Sequence, residues 1–511
     1  MSRSCFLLFG TLFLLAPTVA AAPNILLIVS EDNGPELGCY GDPYARTPNL
    51  DRLASEGIRF HRAYVPQAGC SQSRASFLTG LYPHQHGQIG LATWSFRLYR
   101  KDTPNLVRRL KAAGYRTGRI GKLHINPASA FPFDFREITG ANFRRKNLSD
   151  YAKHAARFIG AGDAPFFLSV NYPDAHDPWL RQVEGMPAKP QTGSEVQTMP
   201  YMGIDAPAMR EMIADYYNSL SRLDTLVGHL LKELERSGKS QDTIVVYLGD
   251  HGADMLRGKR TCYEGGVRIP LLLRWPGQVE PQIRQDLVST IDLMPTLLAA
   301  AGAEPVSGLP GRALQPLFKN QPVAWRNQLF SEYHAHSARN WFPQRAVRND
   351  RFKLIENLLP GEVHPDYELT LEKMIYEVKL SSATEALDPR RVIAEARPEV
   401  RGAYARMRQP PRYELYDLQS DPYEFRNLAN SPDQAKTLNE LREALETWRK
   451  KTSDPLLSPE ILRRATAEVR TVKGKKAAKN RRWGYPDYFF GREPNSAKQP
   501  GKKAKKRQAA R

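Results

Sequence analysis

The segment Asn24 to Ser30 (NILLIVS) is a short, almost wholly apolar run rich in Ile, Leu and Val, and it stops at the acidic pair Glu31-Asp32. A run without polar alternation predicts a strand buried on both faces, and parallel strands of this kind gather ligands at their C-terminal edge. The same pattern recurs at Thr243 to Leu248 (TIVVYL), which runs into Gly249-Asp250-His251-Gly252, and at Phe166 to Val170 (FFLSV), which runs into Asp174 and His176. Between these runs the apolar spacing changes to three and four. Thr103 to Ala113, ended by Gly114, and Ala208 to Ser237, ended by Gly238, therefore read as helices. Asp292 to Ala301 (DLMPTLLAAA) predicts one more short helix before a Gly- and Pro-rich turn. Strands alternating with helices predict an α/β fold whose mostly parallel sheet is flanked by helices.

From about Pro310 the pattern turns to short strand-like pieces, Ala346 to Glu356 and Tyr413 to Leu418, followed by an amphipathic helix near Asp433 to Lys451. These predict a smaller antiparallel sheet packed with that helix. The expected organisation is a signal peptide over 1–22, a main α/β domain over 23–320, a C-terminal α+β subdomain over 321–455 and a basic, mobile tail over 456–511. Within that tail, Trp483 to Gly491 (WGYPDYFFG) is aromatic enough to dock on something. At the other end, Arg3 precedes the apolar run Phe6 to Pro17, which leads into Val19-Ala20-Ala21-Ala22 and reads as a cleaved secretion signal. After it no apolar run reaches the roughly 18 residues that a membrane span needs.

Charge and cysteine count sharpen this picture. The chain of 511 residues carries a formal charge of +20, but residues 473–511 hold 14 Lys and Arg against Asp487 and Glu493. The excess is concentrated in the tail, which suits acidic envelope polymers or polysaccharide better than a specific nucleic-acid partner. Once the leader is removed, Cys39, Cys70 and Cys262 remain, an odd number for an oxidising compartment. One thiol lacks a partner, and Cys70 accounts for it if it does not remain a cysteine.

Cys70-Ser71-Gln72-Ser73-Arg74, continuing through Ala75-Ser76-Phe77 to Leu78-Thr79-Gly80, resembles the signature of the sulfatase family within the alkaline-phosphatase-like superfamily. The resemblance implies that a formylglycine-generating enzyme oxidises Cys70 to formylglycine, whose hydrated aldehyde attacks sulfur with one hydroxyl and expels sulfate with the other. Gln72 stands where the family usually has Pro or Ala. Glu31 and Asp32 match the family's metal-binding acidic pair and Asp250-His251 its second ligand pair, with residue 70 completing the set. Glu31 replaces the commoner Asp, and His251 replaces the frequent Asn. The expected ion is Ca2+, with Mn2+ or Mg2+ as alternatives.

Gly121-Lys122-Leu123-His124 resembles the segment whose Lys binds sulfate and whose His hydrogen-bonds formylglycine. In the same resemblance His176 becomes the general acid, Lys259 a second sulfate-binding cation, and Arg74 the group that holds formylglycine. His84-Gln85-His86-Gly87, Pro343 to Arg348, Phe352 to Ile355 and Tyr413 to Leu418 look most like the heparan N-sulfatase branch. That branch implies a sulfated carbohydrate substrate, with His334, His336 and Arg345 as its contacts. The expectation is thus an exported sulfuric ester or sulfamate hydrolase of a periplasmic, extracellular or lysosome-like compartment. Its rivals are a phosphodiesterase or phosphonate monoester hydrolase of the same fold and an inactive module that holds sulfated glycans.

Overall fold

The computed structural model describes residues 22–490. The expected signal peptide falls almost wholly outside them. A nine-stranded sheet forms the centre, from β1 (Asn24–Ser30), β2 (Ile58–Tyr64), β3 (Arg116–Gly121), β4 (Phe135–Glu137), β5 (Phe166–Asn171), β6 (Thr243–Gly249), β7 (Arg268–Arg274), β8 (Gln282–Arg284) and β9 (Val288–Ser289). The strand order is β4-β3-β5-β1-β6-β7-β2-β8, with β9 paired to β2, and β7 alone runs against the rest.

β1 lies between β5 and β6 in parallel register, which explains its unbroken apolar run. Leu26 and Ile28 enter one core with Leu220, Leu223 and Val227 of the long helix Pro207–Arg236. Ile25, Leu27 and Val29 enter the other core with Phe77, Leu106 and Leu297 of three shorter helices. Complete burial of each such side chain contributes about 1.5–3 kcal/mol, so a polar residue anywhere in β1 would be costly.

A second sheet follows the order β10 (Leu329–Tyr333), β11 (Gln344–Arg348), β12 (Phe352–Asn357) and β13 (Tyr413–Asp417), all antiparallel. The expected strand Ala346 to Glu356 is in fact a hairpin of two. One face of this sheet packs Val347, Leu354 and Leu415 against Leu441, Leu445 and Trp448 of the helix Ala435–Lys451. Its other face gives Ala346, Ile355 and Tyr416 to the core that holds Leu26, so the two sheets share one interior. Three helices without a counterpart in the sequence reading, Pro365–Leu380, Pro389–Glu395 and Pro398–Arg408, are inserted between β12 and β13. Each begins with Pro, which supplies a helical φ where no N–H bond is needed.

The tail departs from expectation. Residues 456–490 are ordered on the body, including the helix Pro459–Arg470. Trp483 stacks on Phe96 at 4.6 Å and its indole N–H donates to the Trp94 carbonyl, while the Tyr485 hydroxyl donates to the Gly87 carbonyl at 2.8 Å. The basic residues misled the reading because they stay outside while the aromatics between them supply the burial. Residues 491–511 lie outside the described part. Trp483→Ala is expected to destabilise the protein by about 3–5 kcal/mol, read as a lower midpoint in urea. An unchanged midpoint would mean that this segment does not dock.

Candidate active site

Four strand ends converge at the C-terminal edge of the main sheet. β1 delivers Glu31 and Asp32, β6 delivers Asp250 and His251, β3 delivers Lys122 and His124, and β5 leads through Asn171 to Asp174 and His176. Gly121 has φ 88, and a Cβ there would come within 2.1 Å of the Asn171 carbonyl oxygen, so only glycine lets β3 turn into Lys122 so close to β5. Asp32 also adopts a left-handed backbone, with φ 48, and its N–H donates to Asp250 Oδ1 at 3.0 Å. That bond ties the ends of β1 and β6 together.

Cys70 opens the helix Cys70–Thr79, is 2% exposed, and lies at the base of a cleft of about 860 Å³. The helix closes at Gly80, whose φ of 68 lets its N–H return to the Ser76 carbonyl. Burial acts to raise the Cys70 thiol, but Lys122, Lys259 and His251 outweigh it and hold the group well below its ordinary value. Gln72 points away from the cleft. Its amide donates to the carbonyls of Ala335 and Ile89, tying the start of the helix to the loop that carries His336.

Three buried cations balance the carboxylates. Arg74 donates from Nε to Asp250 Oδ2 at 3.2 Å, from Nη1 to Asn171 Oδ1 at 2.7 Å, and from Nη2 to Glu31. Lys122 Nζ donates to Glu31 Oε2 at 2.6 Å, and Lys259 Nζ lies 2.9 Å from Asp32 Oδ2 and 3.6 Å from Asp254 Oδ2. Buried charges at this density persist only when paired.

The donor set suits a divalent cation. Glu31, Asp32, Cys70 and His176 each bring one ligand atom within 4.8 Å of the others, and so do Cys70, Asp250 and His251. His251 Nδ1 is 2.9 Å from the Gly252 carbonyl oxygen, which places a proton on that nitrogen. Its Nε2 then faces Asp32 Oδ1 at 3.4 Å, Asp250 Oδ1 at 3.5 Å and Cys70 Sγ at 3.4 Å. A lone pair aimed at two carboxylates is favourable only with a positive charge among them. Burial acts to lower the His251 pKa, but the neighbouring carboxylates of Asp250 and Asp32 override it and push it up to about 9.

His176 stacks on Phe143 with ring centroids 3.8 Å apart, and its Nδ1 lies 2.9 Å from Asp177 Oδ1. Burial works against its charge, yet Asp32 and Asp177 raise it to about 10, leaving a protonated imidazole beside Cys70. The segment that carries it is fixed by buried Asp174, which accepts from Arg145 at 2.6 Å and twice from Arg222 at 2.8 Å. His124 differs: burial and Lys122 push it down to about 4, and neither ring nitrogen has a partner. It is a neutral ring with a free donor and a free acceptor at the cleft wall.

Of the three expected substrate contacts, only His336 lines the cleft. His334 and Arg345 are completely buried and hydrogen-bonded to each other at 3.1 Å, and Arg345 donates two hydrogen bonds to the Asp454 carboxylate, each of 2.8 Å. They brace β10 and β11 against the chain after the helix Ala435–Lys451, because a buried guanidinium needs a carboxylate and Asp454 supplies it. Sequence reasoning missed Asp254 and Lys373. Lys373, on the helix Pro365–Leu380, lies 2.8 Å from Asp177 and also pairs with Asp254, and so supports the loop of His176. Asp254 stands four residues after Asp250 and was readable; Lys373 reaches the site only through tertiary packing.

Comparison with known proteins gives the family. The family model described as Sulfatase matches residues 23–303, and one described as N-sulphoglucosamine sulphohydrolase, C-terminal, matches residues 249–377. Human N-sulphoglucosamine sulphohydrolase is 31% identical over 473 residues, covering 84% of this chain and 91% of that protein. A structure solved in complex with its substrate D-glucosamine-2-N,6-O-disulfate shares the fold with a TM-score of 0.61 at 21% identity, over 85% of this chain and 98% of that one. The phosphonate monoester hydrolase of Agrobacterium radiobacter also shares it, with a TM-score of 0.61 at 19% identity, over 84% and 96% of the two chains. With a family model spanning more than half of its length and a relative this similar along most of it, the chain belongs to the sulfatase family, hydrolases of sulfuric esters and sulfamates.

Proposed function

We propose that this protein releases sulfate from sulfated sugars of the glycosaminoglycan type, with N-sulfoglucosamine the foremost substrate. The observation that carries the reading is the human N-sulphoglucosamine sulphohydrolase relative, aligned along 84% of the chain. The electrostatics of the cleft support it, since Lys122, Lys259 and Arg74 surround Cys70.

Oxidised to formylglycine, residue 70 would supply a hydrated aldehyde able to attack sulfur and then to release sulfate by elimination. A divalent cation held by Glu31, Asp32, Asp250 and His251, of which Ca2+ is the first choice and Mn2+ or Mg2+ the alternatives, would supply Lewis-acid polarisation of the sulfate oxygens. Around these, Lys122 and Lys259 neutralise the charge of the sulfate, Arg74 fixes the carboxylates, and His124 offers a hydrogen bond to residue 70. Protonated His176 gives its proton to the departing nitrogen or oxygen, with Asp177 holding the other ring nitrogen. His176→Gln is expected to lower kcat by about 100- to 1,000-fold on sugar substrates and far less on an aryl sulfate, whose leaving group needs no proton. Equal losses on both would take the acid role away from His176.

The discriminating experiment is sulfate release from a panel of defined sulfated mono- and disaccharides beside phosphate diesters and phosphonate monoesters. Activity centred on N-sulfoglucosamine is expected. Much faster cleavage of the phosphorus esters would favour the rival hydrolase, which Asp250-His251 and the Agrobacterium fold match keep open. An unmodified thiol at Cys70 in protein from the native host, together with glycan affinity, would instead mean a binding module. We assign the protein to an exported compartment on the strength of residues 1–22; among the described residues no helix is long and apolar enough to cross a membrane.

A further inference from the structure

Six lysine and arginine side chains bear on the cleft or its base, and they fall into two sets. Arg74, Lys122 and Lys259 are committed to Glu31, Asp32, Asp250 and Asp254 around Cys70. Arg119, Arg136 and Lys475 line the same cleft, and among the described residues none of them pairs with a carboxylate. Arg119 and Arg136 are register partners on the parallel strands β3 and β4, so their side chains leave the same face side by side. Arg119 is only 7% exposed; one of its nitrogens donates to the Gly121 carbonyl at 2.9 Å and its Nε has no partner. Burial together with the charges of Arg136 and Arg74 lowers its pKa to about 10. Like charges side by side, one of them largely withdrawn from water, cost free energy unless an anion joins them.

Lys475 comes from the far end of the chain. It belongs to the segment pinned by Trp483 and Tyr485, and the nearby Ala478 carbonyl accepts from Ser95 Oγ at 2.7 Å. A lysine is thereby held at the cleft by packing from a segment about 400 residues distant from Cys70 in sequence.

We infer that Arg119, Arg136 and Lys475 form a second anion subsite, separate from the sulfate-cleaving one, that binds a second negatively charged group of the sugar substrate. The inference rests on the reading of the protein as a sulfated-sugar hydrolase and adds that its substrate carries at least two anionic groups. The second anion is a further sulfate on the same sugar or a carboxylate on its neighbour, two groups that a guanidinium pair recognises by the same paired hydrogen bonds.

The test uses R136Q, K475Q and the double variant of the full-length protein, leaving buried Arg119 in place. Substrates are N-sulfoglucosamine, its N,6-O-disulfated form, and an N-sulfated disaccharide bearing a uronate. The readout is the ratio of kcat/KM for each doubly charged sugar to that for N-sulfoglucosamine. Wild type should favour one doubly charged sugar, and which one it favours identifies the second anion. Each single variant should reduce that ratio by about 10-fold, and the double variant by about 100-fold. A wild type without preference, or variants that keep it, overturn the subsite. If wild type frees no sulfate from any of these sugars, the proposed function fails, and calorimetric binding of the same sugars reads the subsite alone. Selective weakening of the doubly charged sugars in the double variant then supports it, and unchanged binding overturns it.

Discussion

Replacing Cys70 with Ala is expected to reduce sulfate release at least about ten-thousand-fold, while the fold survives. The side chain lost is small and 2% exposed, and what stays behind, the cations and carboxylates around it, still binds sulfate without a nucleophile. Cys70→Ser sharpens the test. A serine hydroxyl can attack sulfur but lacks the second hydroxyl needed for elimination, so the enzyme should turn over once and retain sulfate on residue 70. Intact-peptide mass spectrometry would detect that added sulfate, and the wild-type peptide should carry an aldehyde in place of the thiol. Activity of Cys70→Ala within tenfold of wild type would place the nucleophile elsewhere.

Asp250→Asn should have the next largest effect, about a thousand-fold in kcat/KM. Asp250 takes a bond from Arg74, accepts the Asp32 N–H and faces His251 Nε2. Asparagine preserves the shape but removes the charge, leaving Arg74 only partly balanced in a place closed to water. Breaking such a buried pair costs about 3–5 kcal/mol. The same change takes a carboxylate from the proposed cation site, so the purified variant should hold less divalent metal than wild type, and activity should recover partly as added metal rises. Full metal content with full activity would show that the carboxylate charge has neither role.

Much of this was legible in the sequence because it depends on short-range grammar. Apolar runs that end in Glu31-Asp32 and in Asp250-His251 located β1 and β6, and the run from Cys70 to Gly80 located the helix that opens the cleft. The rest depends on contacts between distant segments. His334 and Arg345 were expected at the substrate because the resemblance to the heparan N-sulfatase branch implied it, yet Asp454, more than a hundred residues away, captures Arg345 in the interior. Lys373 and Lys475 carry no local signal: a lysine on a helix and a lysine in a basic tail look alike until packing brings the first to Asp177 and the second to the cleft. The helices between β12 and β13 were readable in principle, since Leu371, Met374 and Val378 recur at spacings of three and four behind Pro365.

The docking of residues 459–490 bears on the order of events in the life of the chain. Trp483, Tyr485, Tyr488 and Phe489 belong to the same buried cluster as Cys70, although more than 400 residues separate them from it along the chain. Before they dock, part of the packing around Cys70 is missing; once they settle, Cys70 is 2% exposed. Oxidation of Cys70 by a second protein, which the proposed function requires, would therefore have a deadline, set by the docking of this segment.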